Sequence, residues 1–184
     1  MSGWTEDTLD PEGARQLAAL AGAIAREVRP TVIFSSPLRR AIQTACAIAR
    51  RWPVQLRIDD GLGELRCGDA DGVQIRDVQR RYETEWVCNL AQSDPDFRWP
   101  GGESYREFRA RVLHSLRSIA DAAQGQRALL VTHAGVISQV LGCIYGRSPA
   151  EWEHFRPRNC SLTSVAWNDH APRVVAFDVL LSER

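Results

Sequence analysis

The chain has 184 residues, about one domain's worth, and a chain of that size buries roughly 70% of its extended surface without needing disulfide or metal staples. Apolar residues make up 44% and charged residues 25%, ordinary globular values that exclude disorder, collagen and coiled coil. Basic and acidic residues number 23 each, so the formal net charge is zero. Nucleic-acid or anionic-membrane binding driven by excess charge is therefore not expected.

Asp10-Pro11-Glu12 predicts a helix start: a cap, a proline at the first position and an acid in the first turn. Leu17, Leu20, Ala21, Ile24 and Val28 follow at helical spacing until Pro30. Val32-Ile33-Phe34 reads as a strand covered on both faces. A second helix is predicted to start at Ser36-Pro37, with Leu38, Ala41, Ile42, Ala45 and Ile48 inward. Val54, Leu56 and Ile58 alternate as in a brief strand, and Asp59 to Gly72 reads as an irregular Gly- and Asp-rich loop. Ile75, Val78, Tyr82 and Trp86 predict one further helix. Ser104 caps a long one bearing Phe108, Val112, Leu116 and Ile119. Ala128 to Val131 reads as a second doubly covered strand, followed at Gly135 by a helix with Val136, Val140 and Leu141. Two β-rich stretches close the chain, Ser161 to Trp167 and Arg173 to Leu180, joined by a turn over Asn168 to Pro172. The alternation predicts an α/β fold: a mainly parallel sheet flanked by helices on both faces, to which the closing pair adds an antiparallel edge. No linker or repeat divides residues 1–184, so a single domain is expected.

The five cysteines are odd in number and lack C-x-x-C spacing, which predicts free thiols in a reducing compartment. The opening residues lack the basic and apolar regions of a signal peptide, and no apolar run approaches a membrane span. A cytoplasmic location without membrane association is expected. All 23 basic residues are arginine, the better bidentate partner for phosphate, although a GC-rich genome produces the same skew.

Three segments carry candidate chemistry. Thr132-His133-Ala134-Gly135 lies where a buried strand hands over to a helix, the place where open α/β sheets bind ligands. The backbone N–H groups of Ala134 and Gly135 suit an anion there, and His133 can donate to a phosphoryl oxygen. A structural histidine tying down a loop fits this segment equally. Arg40 sits at a second strand-to-helix turn, in Ser35-Ser36-Pro37-Leu38-Arg39-Arg40, where a bidentate grip on phosphate competes with a solvated surface role. Glu64, in the loop Leu62 to Gly68, reads either as an acid that protonates a leaving oxygen or as an exposed loop carboxylate. His114, His154 and His170 show no metal-ligand spacing, so no metal site is expected.

Together these segments resemble the histidine phosphatase superfamily, the phosphoglycerate mutase-like family. Ser35 to Ala45 matches its S-S-P-L-x-R-A-x-Q-T-A motif. Leu62 to Gly72 matches L-x-E-x-x-x-G-x-x-E-G, with Asp71 in place of the usual Glu and Ala70 in place of the usual Trp. Pro100 to Ser104 matches P-G-G-E-S, Val131 to Ile137 the second histidine motif, and Asn159-Cys160-Ser161 the late N-x-S segment. Leu9 to Gly13 resembles the L-T-P-E-G helix start.

The resemblance implies that a histidine attacks a phosphomonoester, becomes phosphohistidine, and is freed by water. Arg40 matches one phosphate-holding arginine, His133 the second histidine and Glu64 the proton donor. No metal or organic cofactor is implied, and the expected partner is a small phosphorylated metabolite. The family's opening strand, ending in R-H-G with the nucleophile, has no counterpart in these residues. The domain is therefore expected to be truncated at its N-terminus, with Met1 an internal methionine, and this chain to be inactive alone. A phosphatase is the leading expectation. A catalytically dead phospho-ligand binding domain and a mutase-type phosphotransferase are the alternatives. Substrate and oligomeric state are not legible.

Overall fold

The structure is a computed structural model, and residues 1–167 and 172–181 are described. Asp10 caps helix α1 (Pro11–Glu27), its side chain accepting the Gly13 N–H at 2.7 Å, while Pro11 occupies a position that needs no N–H. Strand β1 (Val32–Ser35) is buried at all four positions. Helix α2 spans Arg39–Ala49 and has Leu38 at its N-cap, with no capping side chain. Ser36 thus stands before the helix rather than starting it. Its Oγ accepts the Leu38 N–H at 3.2 Å.

Strand β2 (Gln55–Ile58) follows, then two 3-10 turns, Asp60–Leu62 and Gly68–Ala70, within the expected irregular segment. The one helix expected over Ile75 to Trp86 is two, α3 (Ile75–Arg81) and α4 (Glu83–Ala91). The chain breaks at Tyr82, whose φ of −131° and ψ of 51° are not helical. Ser104 caps α5 (Tyr105–Ala122) in a reciprocal box with Glu107. Strand β3 (Ala128–Val131) leads into α6 (Ala134–Ile144), and β4 (Leu162–Ala166) and β5 (Arg173–Val179) close the fold.

The main sheet has the order β2-β1-β3 and is wholly parallel. The period-two alternation of strand side chains sorts its residues between two helical layers. Ile33, Leu129 and Val131 pack against Leu20 and Ile24 of α1 and Ala41, Ala45 and Ile48 of α2. Val32, Phe34, Ala128 and Leu130 pack against Ile119 of α5 and Ala123 just beyond it. Helices therefore cover both faces, as expected. β3 is less enclosed than its sequence suggests, since Ala128 and Leu130 are only half-buried.

The closing pair differs from expectation. β4 and β5 form their own antiparallel two-stranded sheet instead of an edge of the main one. Most of the turn expected over Asn168 to Pro172 lies outside the described residues. Among the described residues, the edge of β3 away from β1 pairs with no strand.

No helix among the described residues is long and apolar enough to cross a membrane. All five cysteines are free thiols, as their odd number suggested.

Candidate active site

Parallel pairing sets Ser35 of β1 opposite Val131 of β3, so both strands end at one level. The chain leaves the sheet there side by side, with the Ser36 N–H donating to the Val131 carbonyl at 2.9 Å. His133 is the N-cap of α6, and its Nε2 lies 2.7 Å from Ser36 Oγ. Burial, reinforced by the positive charges of Arg40 and Arg111, pulls the His133 pKa down to about 3. The imidazole is therefore neutral at physiological pH.

Thr132 draws the Gly-rich loop onto this edge: its hydroxyl donates to the Leu62 carbonyl at 2.7 Å. Two residues on, the carboxylate of Glu64 accepts N–H bonds from Leu65 at 2.9 Å and from Gly135 at 3.2 Å. Burial raises the Glu64 pKa. Those two bonds and the charges of Arg40 and Arg111 oppose the rise without cancelling it. The Gly135 N–H, expected to face an anion, is thus engaged by Glu64. A Cβ added at residue 135 would overlap Glu64 Oε1. Gly135→Ala is expected to displace that carboxylate or strain the α6 entry. The cost is about 1–3 kcal/mol, read as a fall of several degrees in thermal midpoint.

Arg40, in the first turn of α2, donates to the carbonyls of Gly3 at 2.8 Å and Thr5 at 3.3 Å. Two of its five N–H donors are thereby used. Burial pulls its pKa below the usual arginine value, while Glu64, Asp7 and Asp71 push back. The segment that anchors it is itself tied down: Asp71 Oδ1 accepts the backbone N–H groups of Trp4 and Cys67, each at 3.2 Å. Asp71 thus makes these contacts from the position of the family's usual Glu, and Ala70 beside it is fully buried.

Arg40 from α2, Glu64 from its loop and His133 at the head of α6 converge, and both Arg40 and Glu64 are half-buried, so neither an exposed loop acid nor a solvated surface arginine describes them. His114 and His154 stand elsewhere, on α5 and with its ring edge on Phe155 at 4.6 Å. His170 lies outside the described residues. Among the described residues, no group of His, Cys, Asp and Glu side chains is arranged to hold a metal ion.

Two participants were missed in the sequence. Ser36 is legible as a helix start one turn before Arg40, near the carboxyl edge of the sheet, but the sequence gives its hydroxyl no partner, and in the structure it faces His133. Arg111 of α5 reaches the Glu64 loop. Its one sequence signal is a position beside the inward stripe of Phe108, Val112 and Ser115.

Ligand sites at the carboxyl ends of parallel strands are a property of open α/β domains, and this chain is one. It belongs to the histidine phosphatase superfamily: the profile of branch 1 of that family matches residues 1–179. A probable phosphoglycerate mutase GpmB from Salmonella paratyphi C is 32% identical over 169 residues, covering 92% of this chain and 78% of that protein. Bacillus stearothermophilus YhfR superposes with a TM-score of 0.88 at 22% identity, over 97% of this chain and 88% of that one. A mycobacterial glucosyl-3-phosphoglycerate phosphatase in complex with inorganic phosphate gives a TM-score of 0.84 at 24% identity, over 99% and 92%.

Proposed function

We propose that this protein serves as a phosphatase, hydrolysing a small phosphomonoester through a phosphohistidine. The observation that carries the reading is the convergence of Arg40, His133 and Glu64 at the ends of β1 and β3. Arg40 supplies fixed positive charge for the transferring phosphoryl oxygens. His133, neutral before binding, donates a hydrogen bond and takes up a proton as the dianion settles. The nucleophilic nitrogen attacks phosphorus, the P–O bond to the alcohol breaks, and Glu64 gives its proton to the leaving oxygen. The Glu64 carboxylate then takes a proton from the water that attacks phosphohistidine, releasing phosphate and restoring the acid.

The nucleophile is proposed to come from a segment outside these 184 residues, on a further parallel strand pairing with the open edge of β3. That edge and the separate β4–β5 ladder support this reading. The compact stretch between Glu64 and Gly101 favours hydrolysis over mutase-type transfer back to a sugar acid. The second reading, a phospho-ligand binding domain without turnover, is favoured by one observation: no histidine besides His133 lies beside Arg40 among the described residues.

Calorimetric titration with inorganic phosphate and hydrolysis of para-nitrophenyl phosphate test the site together. The 184-residue chain is expected to bind phosphate and to show little or no turnover. Robust turnover abolished by replacing His114, His154 or His170 would sink the external-nucleophile reading. No phosphate binding at any pH would sink the site itself. The codons preceding Met1 separate the two readings. An in-frame apolar strand ending in R-H-G supports the phosphatase, and an in-frame stop supports the binding domain.

A further inference from the structure

Arg111 makes the densest set of contacts around the site, and the proposed reaction gives it no part. Its Nη1 donates to the carbonyls of Asp60, Gly61 and Gly63 at 3.3, 3.1 and 3.0 Å. Its Nη2 donates to the Glu64 carbonyl at 3.1 Å and to Glu103 Oε1 at 2.5 Å, and its Nε to Glu103 Oε2 at 3.2 Å. The guanidinium lies over the Phe108 ring at 5.0 Å, and only 18% of the side chain is exposed. Glu103 extends the clamp, accepting the Arg66 N–H at 2.9 Å and donating its own N–H to the Arg66 carbonyl at 3.0 Å. One helical side chain therefore fixes four carbonyls of the loop before and at Glu64, and its carboxylate partner fixes the loop beyond.

We infer that Arg111, anchored by Glu103, is the positioning residue that holds the half-buried Glu64 against the N-terminus of α6. The inference rests on reading Glu64 as the proton donor. The chemistry argues for this arrangement. Without Arg111 the loop would be held by Thr132 at the Leu62 carbonyl and by the Trp4 indole N–H at the Glu64 carbonyl. The carbonyls of Asp60, Gly61 and Gly63 would lose their shared donor, and Glu64 would be free to swing outward, where hydration would return it to an ordinary carboxylate. The planar guanidinium can satisfy a carboxylate and several carbonyls at once. The compact ammonium of lysine carries three donors and cannot span the same set. The charged and titratable groups around Glu64 are Arg40 from α2, Arg111 from α5 and Cys67 from its own loop. His133, at the head of α6, stands neutral beside the two arginines.

The test is a carbon-13 NMR titration of the Glu64 side-chain carboxyl in the 184-residue chain, assigned with Glu64→Gln. Wild type is expected to titrate above the usual glutamate range. In Arg111→Lys, which keeps the charge, the titration is expected to move down, toward the ordinary value near 4.3. Arg111→Gln separates charge from position. Loss of a nearby positive charge alone moves Glu64 up, whereas release of the loop moves it down. Downward movement in both variants supports positioning. An unchanged titration in Arg111→Lys overturns the inference even if the thermal midpoint falls, because then Arg111 only stabilises the fold. If Arg111→Gln does not fold, the lysine variant alone decides. Failure of the phosphatase reading is seen separately, as absent phosphate binding by wild type with the Glu64 titration still raised.

Discussion

Replacing Arg40 with alanine is expected to weaken phosphate binding on the order of 100-fold or more. In a protein that carries the nucleophile, turnover is expected to fall by at least as much. The guanidinium is half-buried and oriented by the carbonyls of Gly3 and Thr5, so its charge is neither fully solvated nor free to swing away. A preoriented donor of this kind, in a water-poor site, contributes roughly 3–4 kcal/mol to charge developing on transferred oxygens. Without Arg40, the bound dianion meets the acidic side chains of Glu64, Asp71 and Asp7 with little opposition from α2. Arg40→Lys is expected to recover only part of the loss, because an ammonium cannot reach both carbonyls and grip two phosphate oxygens. Calorimetry with inorganic phosphate measures the effect, with thermal melting as a check on folding. A loss smaller than about threefold would remove Arg40 from the site.

Acid is expected to destabilise the protein through His133. In the folded state this imidazole protonates at about pH 3, whereas in the unfolded chain it does so near 6.5. Between those values the unfolded chain carries the extra proton. The stability that the neutral, buried ring contributes is therefore fully present above about pH 6.5 and is lost as pH falls toward 3. A tenfold difference in proton affinity is worth about 1.4 kcal/mol, which makes the loss at pH 5 roughly 2 kcal/mol. Glu64 acts in the opposite sense, because its raised pKa adds stability as pH falls through the folded value toward the ordinary one. The clean measurement is therefore urea unfolding at pH 7 and pH 5 in a Glu64→Gln background. His133→Asn is expected to flatten the dependence, and an equal slope in both proteins would count against a buried neutral histidine. Phosphate reverses the local field, so binding at neutral pH is expected to take up close to one proton. Calorimetry in buffers of different ionisation enthalpy reads that uptake, which His133→Asn should abolish.

What could be read from the sequence was what is local in it. The Ser104–Glu107 box, the Asp10-Pro11 helix start and the uninterrupted apolar run of β1 carry their causes within a few residues. Arg40, Glu64 and His133 were located by motif, and the three strand-to-helix or loop contexts survive in the structure. The break at Tyr82 has no Gly or Pro to announce it, and Val78 and Trp86 keep helical spacing across it. The isolation of the β4–β5 ladder depends on which strand stands beside which, and alternation alone does not encode that. Arg111 escaped notice because its acceptors in the Glu64 loop are backbone carbonyls about fifty residues earlier in the chain, and its pairing with Glu103, eight residues back, has no helical spacing to mark it. A carbonyl carries no residue identity to recognise. The Gly135 N–H was assigned to an anion for the same reason, since only the fold reveals that Glu64 has reached it first.

The sheet register also has a kinetic consequence. β1 pairs with β2 across one helix, with Val32 opposite Gln55, but its other neighbour is Ala128 of β3. The backbone bond just before that pair, from Thr31 to Arg127, closes a loop of 96 residues. Loop-closure entropy and the rarity of such long-range encounters lead us to expect β1–β3 docking to be the slow event of folding. Ser36 and His133 lie directly beyond those two strands, and Thr132 is what brings the Glu64 loop to them. A β2–β1 unit with α2 therefore holds Arg40 and Ser36 but not Glu64, Arg111 or His133. The site is assembled only once β1 and β3 are paired, so a partly folded state without that ladder is not expected to bind ligand. A ligand that stabilises the closed ladder would act mainly by slowing unfolding, with little effect on the rate of folding.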